Sequence, residues 1–372
     1  MADEQGSGGL SFRLGGIPVH MPWSSLLGIL IISWFWFDFF SFDLTDQMRP
    51  YVLTGIFAVL FYVTILGHEL AHALVARASG FPVSGITLWW LGGFTSFQRT
   101  VRSPLRDGLI AASGPVTSLV IGGLAGLVAG AASGRNITVY ALAFALSYSN
   151  IFLAIYNSLP GLPLDGGNVL RAVVWGITKD ERRGTVVAAW GGRVVAVLVM
   201  TIPFWTAFSR GTSPDLVGVV FSVAIGFFIW QGATQALRSA EVNARVPRLS
   251  ARALARPAVV VAADTPLAEA LRRAEAEQAT ALVVVDAAGR PTAIANPAAV
   301  EAVPVERRPW VPVSAVSSAF DPRAAISAEL GGNDLLQALM AVPADTWLVV
   351  DPSGQRVGVL AAADVEHALS HD

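Results

Sequence analysis

The chain has no cysteine, a single lysine at Lys179, and charge on only 14% of its 372 residues. Without cysteine there are no disulfides, thiolate metal ligands or thiol nucleophiles, so any metal must be held by histidine and carboxylate. A net charge of −2 removes the electrostatic case for a nucleic-acid partner, and none is expected. Asp3 and Glu4 stand where a secretory leader would be basic, so no cleaved leader is expected. Histidine is scarce too. His20 lies in the N-terminal segment and His367 and His371 in the tail, leaving His68 and His72 as the pair inside an apolar stretch.

What is abundant is apolar. With 53% hydrophobic residues and a positive mean hydropathy, the chain reads as a multi-pass protein of the cell membrane. Spans are expected at Trp23 to Phe42, Met48 to about Arg77, Leu109 to Ala132, Val139 to Leu159, Val186 to Phe208 and Leu216 to Leu237. Asp38 and Asp43 lie near the far end of the first, and Gly122, Gly126 and Gly130 give the third a face for close helix contact. Arg77, Arg99, Arg102 and Arg106 follow the second span; Arg171, Lys179, Arg182 and Arg183 follow the fourth; Arg238, Arg245, Arg248, Arg252 and Arg256 follow the sixth. The opposite connections carry little beyond Arg49, Arg135 and Arg210, so the positive-inside rule places both termini in the cytoplasm.

Residues 65 to 72, Ile-Leu-Gly-His-Glu-Leu-Ala-His, close the second span. On a helix His68 and His72 share a face, so both imidazoles can reach one ion while Glu69 sits beside it. This H-E-x-x-H spacing suits Zn²⁺, with the carboxylate placed to take a proton from water at the ion. The alternative is a pair of core histidines with a snorkelling glutamate. Against it, the preceding stretch from Tyr51 to Thr64 is uncharged, and ionisable groups at membrane depth are functional by default.

A third ligand is needed if water is to keep the fourth position. After the fourth span the chain reads Asn157-Ser-Leu-Pro-Gly-Leu-Pro-Leu-Asp165-Gly-Gly-Asn168. Two prolines and three glycines break a helix there, and broken helices at membrane depth line cavities. Asp165 is therefore free either to turn toward the metal or to N-cap the helix of Val169 to Trp175. Between the second and third spans, Phe81 to Phe97 is too short to cross and too apolar for an open loop; its β-branched and aromatic residues around Gly92 and Gly93 predict a hairpin. Such an edge either holds an extended peptide or only covers the bundle.

H-E-x-x-H late in one apolar helix, with N-x-x-P-x-x-P-L-D-G-G after another, resembles the site-2 protease family of intramembrane zinc metalloproteases over roughly residues 15 to 240. The resemblance implies His68, His72 and Asp165 as zinc ligands, Glu69 as catalytic base and Asn157 near the scissile bond. One departure lies in Ser113-Gly-Pro-Val-Thr-Ser118, where many members carry Asn at the position of Ser118; it bears on a helix-packing or substrate contact rather than on the metal.

Beyond Arg238 the composition changes. Thr265 to Leu271 leads to Ala281 to Gly289, and Asn333 to Leu339 leads to Trp347 to Gly354; each unit is an amphipathic helix, a buried strand and an Asp-x-x-Gly turn. The repeat resembles a tandem pair of CBS motifs, which implies an adenine-nucleotide cleft. Asp364 matches a ribose-contacting position, but Ala361 and Ala299 stand where hydrogen-bonding residues are usual. A structural or homodimerising role is the alternative.

The expected fold is a membrane α-helical six-span bundle with a small membrane-associated β-hairpin, followed by a soluble α/β tandem CBS domain. Its expected parts are a transmembrane zinc metalloprotease domain at 1–238, a linker at 239–256 and a cytoplasmic CBS domain at 257–372. The expected function is regulated intramembrane proteolysis, with CBS modulation. The client would be a single-span membrane protein, such as an anti-sigma factor or membrane-tethered regulator, cut near the cytoplasmic face. A CBS-regulated transporter and a catalytically silent client-binding scaffold are the rivals.

Overall fold

The computed structural model describes residues 8–41, 49–90, 92–97 and 103–370; Phe42, Asp43, Met48, Arg99, Arg102 and His371 lie outside them. The chain forms two compact units, Met1–Ala240 and Glu241–Asp372.

In the first unit, Gly15 and Gly16 take φ of 56° and 82°, the conformation a two-residue hairpin turn requires. They fold β1 (Gly9–Leu14) onto β2 (Ile17–Pro22). Next come the helices α1 (Ser25–Ser41) and α2 (Arg49–Ala78). The expected hairpin follows as β3 (Val83–Trp89) and β4 (Gly92–Phe97). It is not a separate ribbon: β2 pairs in parallel with β3, giving one sheet in the order β1-β2-β3-β4. Ile17, Val19, Ile86 and Leu88 bury one face of that sheet against Ile65 and Ala73 of α2, which fixes the sheet beside the histidine-bearing turn.

The rest of the bundle is α3 (Pro104–Ala132), α4 (Ile137–Asn157), α5 (Asp165–Thr178), α6 (Glu181–Arg210) and α7 (Leu216–Arg245). Their ends follow local chemistry. Pro104 opens α3, Asn136 caps α4 through the Val139 amide, Asp180 caps α6 through the Arg182 and Arg183 amides, and Gly211 ends α6 in the left-handed region. Among the described residues five helices, α2, α3, α4, α6 and α7, are long and apolar enough to cross a membrane; the first expected span is described over the 17 residues of α1. Large apolar side chains such as Leu124, Leu127, Ile202 and Phe208 point outward, as a lipid-facing surface demands. On α3, Gly122 and Gly126 lie against α4, where Ser147 Oγ donates to the Gly122 carbonyl at 2.8 Å, whereas Gly130 has no neighbour within 4 Å of where its Cβ would stand.

The second unit starts earlier than expected. The stretch expected as a linker, 239–256, is ordered structure: α7 runs on to Arg245, and Leu249 and Ala251 of the next turns are buried with Leu335, Val349 and Leu360. Their apolar side chains were masked in the sequence by the surrounding arginines. Two β-α-β-β-α repeats follow, as the tandem CBS reading predicts. The first is β5 (Ala258–Ala262), α9 (Leu267–Ala276), β6 (Ala281–Val285), β7 (Pro291–Ala295) and α10 (Pro297–Glu301), with α8 (Ala251–Leu254) preceding it. After β8 (Ser317–Ala319), the second is β9 (Ala325–Ser327), α11 (Gly332–Ala341), β10 (Thr346–Val350), β11 (Arg356–Ala361) and α12 (Ala362–Ser370). The two Asp-x-x-Gly turns match: Asp286 accepts from the Ala288 and Arg290 amides and Asp351 from the Ser353 and Gln355 amides, with Gly289 and Gly354 at positive φ. The Arg290 amide holds the Asp286 carboxyl below the usual carboxylate range, as the Ser353 side chain does for Asp351.

Candidate active site

α2 carries His68 and His72 one turn apart, both buried, and α5 brings Asp165 to them from its first turn. Asp165 is not the cap of that helix; Leu164 occupies the cap position and makes no side-chain cap bond. His68 Nε2 lies 3.1 Å and His72 Nε2 3.3 Å from Asp165 Oδ2, and the two Nε2 atoms are 3.2 Å apart. Ligands 2.0 to 2.1 Å from a tetrahedral zinc stand about 3.3 Å from one another, so this trio is spaced for one such ion. Among the described residues it is the one group of three such side chains close enough to share a metal.

The far side of each ring is held in place. His72 Nδ1 donates to the Ile110 carbonyl at 2.7 Å, and since a carbonyl only accepts, the neutral ring keeps its Nε2 lone pair toward the cluster. His68 Nδ1 meets the Ser118 hydroxyl at 2.9 Å. Ser118 is fully buried, so the expectation that this position bears on packing or substrate rather than on the metal is corrected: it orients an imidazole. Space for the ion comes from Gly114 of α3, where an added Cβ would stand 2.5 Å from His68 Nε2 and press on His72 Nε2. The donors and the room both fit zinc.

Asp165 arrives by a loop folded tightly on itself. A Cβ at Gly166 would strike the Ser158 carbonyl, and one at Gly167 would strike the Gly161–Leu162 backbone, which is the physical need behind the D-G-G sequence. Arg171 of α5 bonds Asp107 of α3 at 3.3 Å, both buried, tying the helix that bears Asp165 to the helix that bears Gly114.

Glu69 is buried beside the histidines, under the β-sheet. Thr95 of β4 offers its hydroxyl to the Glu69 carboxylate at 2.8 Å and to the Glu69 carbonyl at 3.0 Å, and Gly93 leaves room for the Glu69 Cγ. Thr95 and Gly114 carried no signal of their own in the sequence, because what they do depends on which strand and helix face α2. Thr95→Val keeps the shape and removes the donor. It is expected to lower turnover about tenfold at unchanged zinc content, read by cleavage kinetics alongside metal analysis.

Asn157 is the last residue of α4, half-buried, at the start of the loop that ends at Asp165. Asp364 belongs to the second unit, where Arg256 grips its carboxylate through Nε at 2.7 Å and Nη2 at 2.5 Å. A ribose at Asp364 would have to displace that guanidinium.

Comparison with known proteins follows the same lines. The model of peptidase family M50 matches residues 56–138 and 121–202. The Synechocystis sp. protein sll0528, assigned as a zinc metalloprotease, is 28% identical over 366 residues, covering 96% of this chain and 94% of its own. Rip3 of Mycobacterium tuberculosis, assigned likewise, is 34% identical over 236 residues, covering 60% of this chain and 57% of its own. Among solved structures, the site-2 protease from Methanocaldococcus jannaschii aligns at 22% identity with a TM-score of 0.44, over 62% of this chain and 95% of that one.

Proposed function

We propose that the chain is a zinc metalloprotease of peptidase family M50 and that it cuts single-span membrane proteins near the cytoplasmic face, with His68, His72 and Asp165 holding the ion. The observation that carries this reading is the convergence of three donors at zinc spacing, next to a buried carboxylate, on helices of membrane length. A transporter has no use for that carboxylate, and a silent scaffold has no need of the intact trio.

Zinc, when bound, supplies Lewis acidity that polarises water and the scissile carbonyl. Glu69 accepts the proton of the attacking water and returns it to the leaving nitrogen, so one carboxylate serves as base and then acid. The Thr95 hydroxyl keeps that carboxylate from swinging away. The Asn157 amide donates toward the developing oxyanion, a role typically worth about 2.7 to 4 kcal/mol. The arginine-rich connections support, by the positive-inside rule, an orientation with the histidine end of α2 and both termini toward the cytoplasm, which would give the site its route to water.

A helical amide has its carbonyl engaged in the backbone ladder, so the client must unwind before it is cut. β4 ends the sheet order and touches Glu69 through Thr95, so a client segment pairing along β4 in extended form lies beside the base. The test uses the purified chain in lipid vesicles with a single-span client of the anti-sigma or tethered-regulator kind. Replacing two helix-breaking residues at the cut region with Ala or Leu favours the helix by about 2 kcal/mol and is expected to slow cleavage at least roughly tenfold. An unchanged or faster rate sinks the unwinding step.

A further inference from the structure

We propose that Gly191 and Gly192 of α6 and Gly232 of α7 are positioning residues for the metal centre: they form a notch that seats residues 160–163 and so places Asp165 against the two histidines. This rests on the reading of Asp165 as a ligand.

Three contacts build the notch. A Cβ on Gly191 would strike the Pro160 carbonyl, one on Gly192 would strike the Leu162 carbonyl, and one on Gly232 would stand 2.6 Å from Pro163 Cγ. The converse holds from the loop side, since a Cβ on Gly161 would strike the Gly192 amide nitrogen and stand 2.5 Å from its Cα. The seat is also bonded: the Leu162 amide donates to the Ala188 carbonyl of α6 at 2.9 Å. Leu162 is buried with Ala188, Ala189 and Ala233, and Leu164 with Val195, Ala196 and Ile229, so both leucines flanking Pro163 drop into the α6–α7 seam.

Glycine in a helix interior weakens the helix relative to alanine, so adjacent glycines in mid-helix need a local reason. Here the reason is backbone against backbone. Asp165 is three residues beyond Leu162, and the chain between them has little slack: the Leu164 amide bonds the Gly161 carbonyl at 3.0 Å and Gly167 packs on Gly161. Lifting the loop off α6 therefore moves the carboxylate away from His68 and His72, which are anchored independently through Ser118 and Ile110.

Two measurements on the purified full-length chain test this. The first is zinc affinity by chelator competition for wild type, Gly192→Ala, Asp165→Ala and the double variant. Gly192→Ala is expected to weaken zinc at least about tenfold and to add nothing in the Asp165→Ala background, because both changes remove the same ligand. A full additional loss in the double variant overturns the proposal, since the glycine would then act on the whole fold. Gly123→Ala, a helix glycine with open space around it, is the control expected to match wild type. The second is independent of metal. The chain has no cysteine, so Leu164→Cys places one thiol at a buried position of the loop. Its labelling by a water-soluble maleimide is expected to speed up at least about tenfold with Gly192→Ala, or with the milder Gly232→Ala, and not with Gly123→Ala. Labelling unchanged by both notch variants overturns the proposal even if zinc binding is as proposed, and a wild type that holds no zinc fails the ligand assignment while leaving this readout to decide the seat.

Discussion

Glu69→Gln is expected to lower cleavage at least about 100-fold, the loss that follows removal of a positioned general base, while zinc content stays at the wild-type level. Glutamine is nearly isosteric, and its amide can still meet the Thr95 hydroxyl, so the packing beneath β4 should survive. What it cannot do is accept a proton. The two readouts separate the roles of neighbours on α2: His68 and His72 present their nitrogens to the Asp165 carboxylate, whereas Glu69 faces Thr95 and Gly93. Cleavage that persists in purified Glu69→Gln removes this residue from the chemistry. Zinc lost together with activity makes Glu69 a ligand instead.

Gly114→Ala should be as damaging, although it removes no functional group. The new methyl would stand 2.5 Å from His68 Nε2 and press on His72 Nε2, the two atoms that meet the Asp165 carboxylate. Neither ring can retreat, because the Ile110 carbonyl and the Ser118 hydroxyl fix their far sides. Expected are loss of most bound zinc and of cleavage, with helix content by circular dichroism unchanged because alanine favours helix over glycine. Gly123→Ala on the same helix meets nothing within 4 Å and should bind zinc and cut as wild type does. Full zinc in Gly114→Ala would mean that the ion does not lie between these nitrogens.

Much of the site was legible because its logic is local. The four-residue spacing of His68 and His72 fixes a shared helix face whatever surrounds it, and two prolines with three glycines before Asn168 announce a break in any context. The hairpin over 81–97 was legible for the same reason, through its β-branched residues and its glycine pair. The strands β1 and β2 were missed, although Gly15-Gly16 between Phe12-Arg13-Leu14 and Ile17-Pro18-Val19 is a two-residue hairpin signal; the polar, glycine-rich residues just before it hid it. Ser118 was singled out but not its partner, and Thr95, Gly114 and the glycines of α6 and α7 were not singled out for a role. Each acts through a partner at least 26 residues away in the chain, and only the packing names that partner. At Asp364 the motif position was legible, but not the pairing of its carboxylate with Arg256, 108 residues away.

The most direct measurement is metal analysis of the purified protein beside Asp165→Ala and His72→Ala. The predicted result is about one zinc per wild-type chain and loss of tightly held zinc in both variants, although their altered residues lie on different helices 93 positions apart (165 − 72). Wild-type zinc affinity in Asp165→Ala would contradict the account, because the ion would then not be shared between α2 and the loop that opens α5.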